Sequence, residues 1–100
     1  MNMHRPLIER IRENAEKIRT IVAAEGASNP RVFGSVARGE DTPKSDVDLI
    51  VDKGPSLSIF GLAGIEIELE RILGVPVDVL VSSEIPDNLR SDIVSQALQV

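Results

Sequence analysis

Residues 31–52 read RVFGSVARGEDTPKSDVDLIVD, and how this stretch divides decides the fold. A short apolar strand, Arg31 to Phe33, is broken by Gly34-Ser35. Val36-Ala37-Arg38 can begin a helical turn, and Gly39 to Lys44 is a polar loop. From Ser45 to Asp52 the residues alternate, with Val47, Leu49 and Val51 on one side and Asp46, Asp48 and Ile50 on the other. That is a strand with one apolar face, and Lys53-Gly54-Pro55 ends it. Residues i and i+2 of a strand point the same way, about 7 Å apart, so Asp46 and Asp48 can converge on one cation. Two unpaired carboxylates on one face repel each other and are costly to desolvate, and a divalent ion removes that cost. A solvated acidic strand end is the plain alternative.

Working outward, residues from Arg5 to Glu25 read as one amphipathic helix with Leu7, Ile8, Ile11, Ala15, Ile18 and Val22 on its apolar stripe. Gly26 is placed to terminate it, and Ser28-Asn29-Pro30 reads as a turn. A second long helix is expected from Ser58 to Leu73, with Leu62, Ile65, Leu69 and Ile72 inward and Gly74 as its stop. Val75 to Val81 is a buried-type strand interrupted only by Asp78. A lone carboxylate in an aliphatic run is expensive unless paired, metal-bound or at a sheet edge facing water. After a loop from Ser82 to Asp87, with Pro86 suited to a first helical turn, Leu89, Ile93 and Ala97 give a last helix one apolar edge. The expected fold is therefore α/β (α+β): one domain over residues 1–100, with a small mixed sheet of about three strands and helices packed on one face.

Composition narrows the function. A hundred residues leave no room for a separate substrate domain, so a large acceptor must come from another chain or bind an exposed face. A net charge of −5, no Trp or Tyr and only two Phe argue against nucleic acid as a partner. Without cysteine there are no disulfides or thiolate metal sites, which fits a cytoplasmic protein. No apolar run reaches the roughly 18 residues of a membrane span, and no signal-peptide stretch follows the start. His4, the one histidine, is read as bland.

FGSVARG followed by SDVDL, with VDVL downstream, resembles the DNA polymerase β-type nucleotidyltransferases. More closely it is similar to their minimal nucleotidyltransferase (MNT) domains, which are usually encoded beside a HEPN-domain partner as antitoxin and toxin. The likeness runs from about Ile8 through Ala97. It implies the nucleotidyltransferase fold. It also implies that Asp46 and Asp48 hold two Mg²⁺ ions, that Asp78 completes the site nearest the attacking hydroxyl, and that Gly34 and Ser35 bind the β- and γ-phosphates of ATP. Arg38 can reach a phosphate or pair with an acid of the cluster, and the reading leans to a phosphate or site-ordering role. Lys44 is read as a solvated loop lysine, Ser45 as a turn cap or an orienter of Asp46, Asp52 as a supporting residue and Phe33 as core.

The resemblance further implies transfer of AMP from ATP to a tyrosine hydroxyl of a HEPN-type RNase toxin, with this chain as the antitoxin. Two alternatives stand beside it: a stoichiometric antitoxin without catalysis, and a transferase for a small-molecule hydroxyl. On the second long helix Phe60, Ala63 and Ile67 make a further apolar patch, offset from the inward stripe. The first helix is its favoured partner, and another chain is the alternative for part of it.

Overall fold

The computed structural model describes residues 5–100, so His4 lies outside the described residues. Two helices, α1 (Leu7–Glu13) and α2 (Ala15–Ala24), lead into β1 (Ala27–Phe33) and the four-residue α3 (Gly34–Ala37). Then come β2 (Val47–Lys53), α4 (Ile59–Leu73) and β3 (Val77–Val81), a 3₁₀ turn at Ser82–Glu84, α5 (Asp87–Gln96) and β4 (Leu98–Gln99). The sheet order is β3-β2-β1-β4. β2 runs parallel to β3 and antiparallel to β1, and β4 pairs antiparallel with the other edge of β1. The expected mixed sheet is present, with β4 as a fourth strand where about three were expected. Two residues are too short to show a period, so composition could not reveal it.

The long first helix is two helices. Asn14 stands at φ −105°, ψ 14°, and its side-chain amide donates to the Arg10 carbonyl at 2.8 Å. A short polar side chain that bonds the nearby backbone competes with the helical ladder, and the axis breaks there. The apolar stripe survives the break, because Leu7, Ile11, Ile18 and Val22 are all buried. At Ser28-Asn29-Pro30 the expected turn is a bulge inside β1. Asn29 takes φ 53°, and the register with β2 shifts between Ser28 and Arg31. Asn tolerates that left-handed conformation better than most residues.

The alternation in β2 holds. Val47, Leu49 and Val51 join Val32, Val77, Val79 and Val81 in one buried cluster with Ile65, Leu69 and Leu73 of α4 and Ile18 and Val22 of α2. Two helix ends behave as their residues require: Ser58 Oγ accepts the Gly61 N–H at 3.0 Å, and Gly74 closes α4 at φ 72°. β3 is an edge strand, and α4 covers its outward donors. The Val77 N–H donates to Glu70 at 3.0 Å and the Val79 N–H to Glu66 at 2.9 Å. Capping those donors removes a template for strand addition.

The opposite face of the sheet carries a polar clamp. Arg31 is buried; it donates to Asp52 Oδ1 at 3.1 Å and to the Asn29 carbonyl at 3.0 Å. Asn29 and Ser82 donate to the same carboxylate at 3.0 and 2.7 Å. Asp52 is thus the supporting residue expected, tying β1, β2 and the turn after β3 together. These donors, led by Arg31, hold the Asp52 carboxyl down at about 2, against an ordinary 3.8. A carboxyl depressed on folding stabilises the fold above its unfolded value, and that contribution fades as the pH falls through the folded value. Asp52→Asn should therefore lower the urea midpoint at about pH 5 and have a shrinking effect towards about pH 2. Parallel urea titrations of the two proteins across that range check this.

Candidate active site

The site grows from the register of three strands. Phe33, the last residue of β1, lies opposite Asp48 of β2, and Asp48 in turn lies beside Asp78 of β3. Paired residues share a face of the sheet, so both aspartates stand on the face away from α4. Asp46, just before β2, is exposed at the mouth of the same strand. Immediately after Phe33 the chain turns at Gly34, with φ 73°. A Cβ there would stand 2.7 Å from Asp48 Oδ2, closer than real contacts allow. Glycine is thus required twice at this position, once for its backbone conformation and once for the space the carboxylate fills. Ser35, half-buried, opens the short helical turn of α3 next to it.

Asp48 lies in the field of the other two acids. The Asp48 carboxyl is pushed above its ordinary value, first by burial and then by the negative charges of Asp78 and Asp46. Among the described residues no three His, Cys, Asp or Glu side chains stand close enough together to hold a metal ion between them. The donor set suits one nevertheless. Carboxylate oxygens are hard ligands for Mg²⁺, and a bound cation would offset the repulsion and desolvation that raise Asp48.

The remaining singled-out residues fall as follows. Arg38 closes α3 and is exposed. It donates to Glu40 at 3.0 Å and to Gln96 of α5 at 3.3 Å, so the alternative of a pair with an acid of the cluster is not the arrangement found. Ser45 is a turn residue, since its Oγ accepts the Thr42 N–H at 2.7 Å and its own N–H returns to the Thr42 carbonyl at 3.0 Å. Lys44 is exposed in that loop. Phe33 is not core; it is half-buried, outside the main cluster and on the face of Asp48. Its phase shows why, because Val32 is the residue of β1 that points into the core and its neighbour must point away. The sequence reading overlooked Asp41, whose Oδ2 accepts the Leu7 N–H at 2.9 Å. This bond ties the loop leading to Asp46 to the start of α1, and a lone Asp in a polar loop gives no sign of it.

If the three carboxylates act as one electrostatic unit, Asp78→Asn lowers the Asp48 pKa towards its ordinary value and leaves the share due to burial. Carboxyl-carbon NMR titration reads this directly. Gly34→Ala should cost about 1–2 kcal/mol for the left-handed backbone alone, and displacing the Asp48 carboxylate adds to that. Thermal unfolding measures the sum.

Comparison with known proteins agrees with this geometry. The nucleotidyltransferase domain family matches residues 9–100. A Methanocaldococcus jannaschii protein, provisionally named a protein adenylyltransferase, is 37% identical over 90 residues, covering 90% of this chain and 97% of its own. The protein adenylyltransferase MntA of Thermococcus cleftensis is 33% identical over 69 residues, covering 69% of this chain and 70% of its own. Among solved structures, one described provisionally as a minimal nucleotidyltransferase superposes with a TM-score of 0.85 at 34% identity, covering 99% of this chain and 100% of that one. A toxin–antitoxin complex with AMP-PNP includes a chain of the same fold, with a TM-score of 0.72 at 23% identity over 86% of this chain and 71% of that one. The family match over residues 9–100 and the relatives along most of its length show that the chain belongs to the nucleotidyltransferase domain family.

Proposed function

We propose that this chain is a protein adenylyltransferase that moves AMP from ATP to a hydroxyl of a partner protein and thereby acts as an antitoxin. The single observation that carries the reading is the seating of Gly34 against Asp48, which is itself in register with Asp78. A turn without a side chain beside a carboxylate pair is what a metal-dependent phosphoryl site needs. The relatives that cover most of this chain bear the name protein adenylyltransferase. A solved complex of the same fold, at 20% identity, contains a tri-AMPylated HEPN toxin of Shewanella oneidensis with its MNT antitoxin. By analogy the partner is a HEPN-type toxin and the acceptor a tyrosine hydroxyl.

In this reading Asp46, Asp48 and Asp78 hold two Mg²⁺ ions, and Gly34 and Ser35 receive the β- and γ-phosphates. Bound Mg²⁺ would supply Lewis acidity to the acceptor hydroxyl and the triphosphate. The chain's own residues do the rest by position and charge. Gly34, lacking a side chain, lets the triphosphate approach the backbone, and the Ser35 hydroxyl donates to its oxygens. The acceptor oxygen bonds to the α-phosphorus while the bond from that phosphorus to the bridging oxygen breaks, and pyrophosphate leaves with the electron pair. The acceptor's proton goes to a carboxylate, and we assign Asp78, exposed on the edge strand, to that task. Arg38, held by Glu40 and Gln96, orders the loop between α3 and β2.

Asp46→Asn or Asp48→Asn should lower transfer of label from α-labelled ATP to the HEPN-type partner by at least about 100-fold, the scale of losing one electrostatic contact to the transition state. The thermal midpoint should stay within a few degrees. Intact mass analysis of the partner gives the adduct, and peptide fragmentation gives its place. Full activity of either variant, or neutralisation that needs one equivalent of this chain and no ATP, would overturn the proposal.

A further inference from the structure

The outer face of α4 carries large apolar side chains that the fold leaves uncovered. Ile59, Phe60 and Ile67 are 77, 84 and 64% exposed, so the first helix does not cover this patch as the sequence reading favoured. At about 100° per residue, Phe60, Ala63 and Ile67 fall in one stripe roughly 60° wide. That stripe lies opposite Gly61, Ile65, Leu69 and Leu73, which face the core. With about 150–250 Å² for a large side chain, the stripe amounts to roughly 400 Å² of apolar surface. That is the size of patch that is often functional, and about half of one partner's share in a standard interface. An occupant must therefore reach beyond the stripe to its rim.

Carboxylates stand on both flanks, and the cations near them are Lys53, which shares a groove with Ile59, and Arg71. Glu25, at the end of α2, lays its carboxylate over one flank, where a Cβ on Gly61 would stand 3.1 Å from its Oε2 and one on Gly64 3.7 Å from its Oε1. Glu66 and Glu70 line the other flank, turned towards the N–H groups of β3. Arg71 is paired with Glu68 at 2.8 Å. A second copy of this chain, which carries a net charge of −5, would bring acidic rim to acidic rim, and an anionic membrane surface would do the same. An apolar seam flanked by cations is what complements this face.

We propose that the outer face of α4 docks an amphipathic helix of another protein whose apolar seam is flanked by Lys or Arg, laid along Phe60, Ala63 and Ile67. α4 packs on the sheet face opposite Asp48 and Asp78, so a partner held here leaves the carboxylates open. Holding the partner and reacting with a hydroxyl are then separate tasks of two faces. The inference does not depend on the transfer reaction, and its test uses no catalysis.

The probe is a fluorescent helical peptide with Leu at i, i+3, i+4 and i+7 and Lys on both flanks, together with a twin in which Glu replaces Lys. Fluorescence polarisation is read against the wild-type chain, Ile67→Ser, which leaves the charge unchanged, and Phe60→Ser. The basic peptide should bind the wild type and lose at least about tenfold in affinity on either variant, and the twin should not bind. Both substituted positions are solvent-facing, and an unchanged circular-dichroism melt shows the fold to be intact. Equal binding by variants and wild type, or no binding of the basic peptide, would overturn the proposal. So would a wild-type dimer in sedimentation equilibrium that Ile67→Ser splits, since the occupant would then be a second copy.

Discussion

The contact between the Gly34 turn and the Asp48 carboxylate is the constraint on which the site depends. The turn can approach so closely because position 34 has no side chain, and because its backbone takes a conformation that other residues adopt at a cost. Asp48 is held in place by β2, an inner strand with partners on both sides. The parallel register then sets Asp78 beside it. A one-residue slip of β3 would turn Asp78 into the core and a valine into the site. The valines of both strands prevent the slip, since their burial against α4 and α2 fixes which face each strand presents.

Packing on one face therefore dictates chemistry on the other. The same alternation that buries Val47, Leu49 and Val51 drives Asp48 and Asp52 outward, and the two have opposite fates. At one end of β2, Asp52 meets Arg31, Asn29 and Ser82 and is stabilised as an anion. At the other, Asp48 meets burial and two like charges and is destabilised as an anion. One strand thus carries a satisfied carboxylate that serves the fold and an unsatisfied one that suits a cation. Environments that push two similar groups apart in this way mark the group with chemistry to do.

Much of this was legible in the sequence because it follows from short periods. Alternation over Ser45 to Asp52 gave the central strand and the face of its aspartates, and the helical stripe of α4 gave its inward residues. The family resemblance suggested roles for Gly34, Ser35 and Asp78 that spacing alone could not assign. What stayed hidden was set by contacts between distant residues. Asn14 breaks the first helix through a bond to its own backbone. Asn29-Pro30 makes a bulge where a turn was expected, because β2 continues alongside to pair with Ala27 and Ser28. Arg31 is buried against an acid twenty-one residues away, and Phe33 joins the site's face although its side chain suits a core. No helix among the described residues is long and apolar enough to cross a membrane.

The central claim is that Asp46, Asp48 and Asp78 share a divalent cation beside the Gly34-Ser35 turn. Paramagnetic Mn²⁺ added with ATP to isotopically labelled protein locates the ion, because broadening of an amide signal falls steeply with its distance from the ion. The signals of Gly34, Ser35, Asp46, Asp48 and Asp78 should broaden first and together, and those of the outer face of α4, on the far side of the sheet, should be least affected. Broadening centred elsewhere, or none in the presence of ATP, would contradict it.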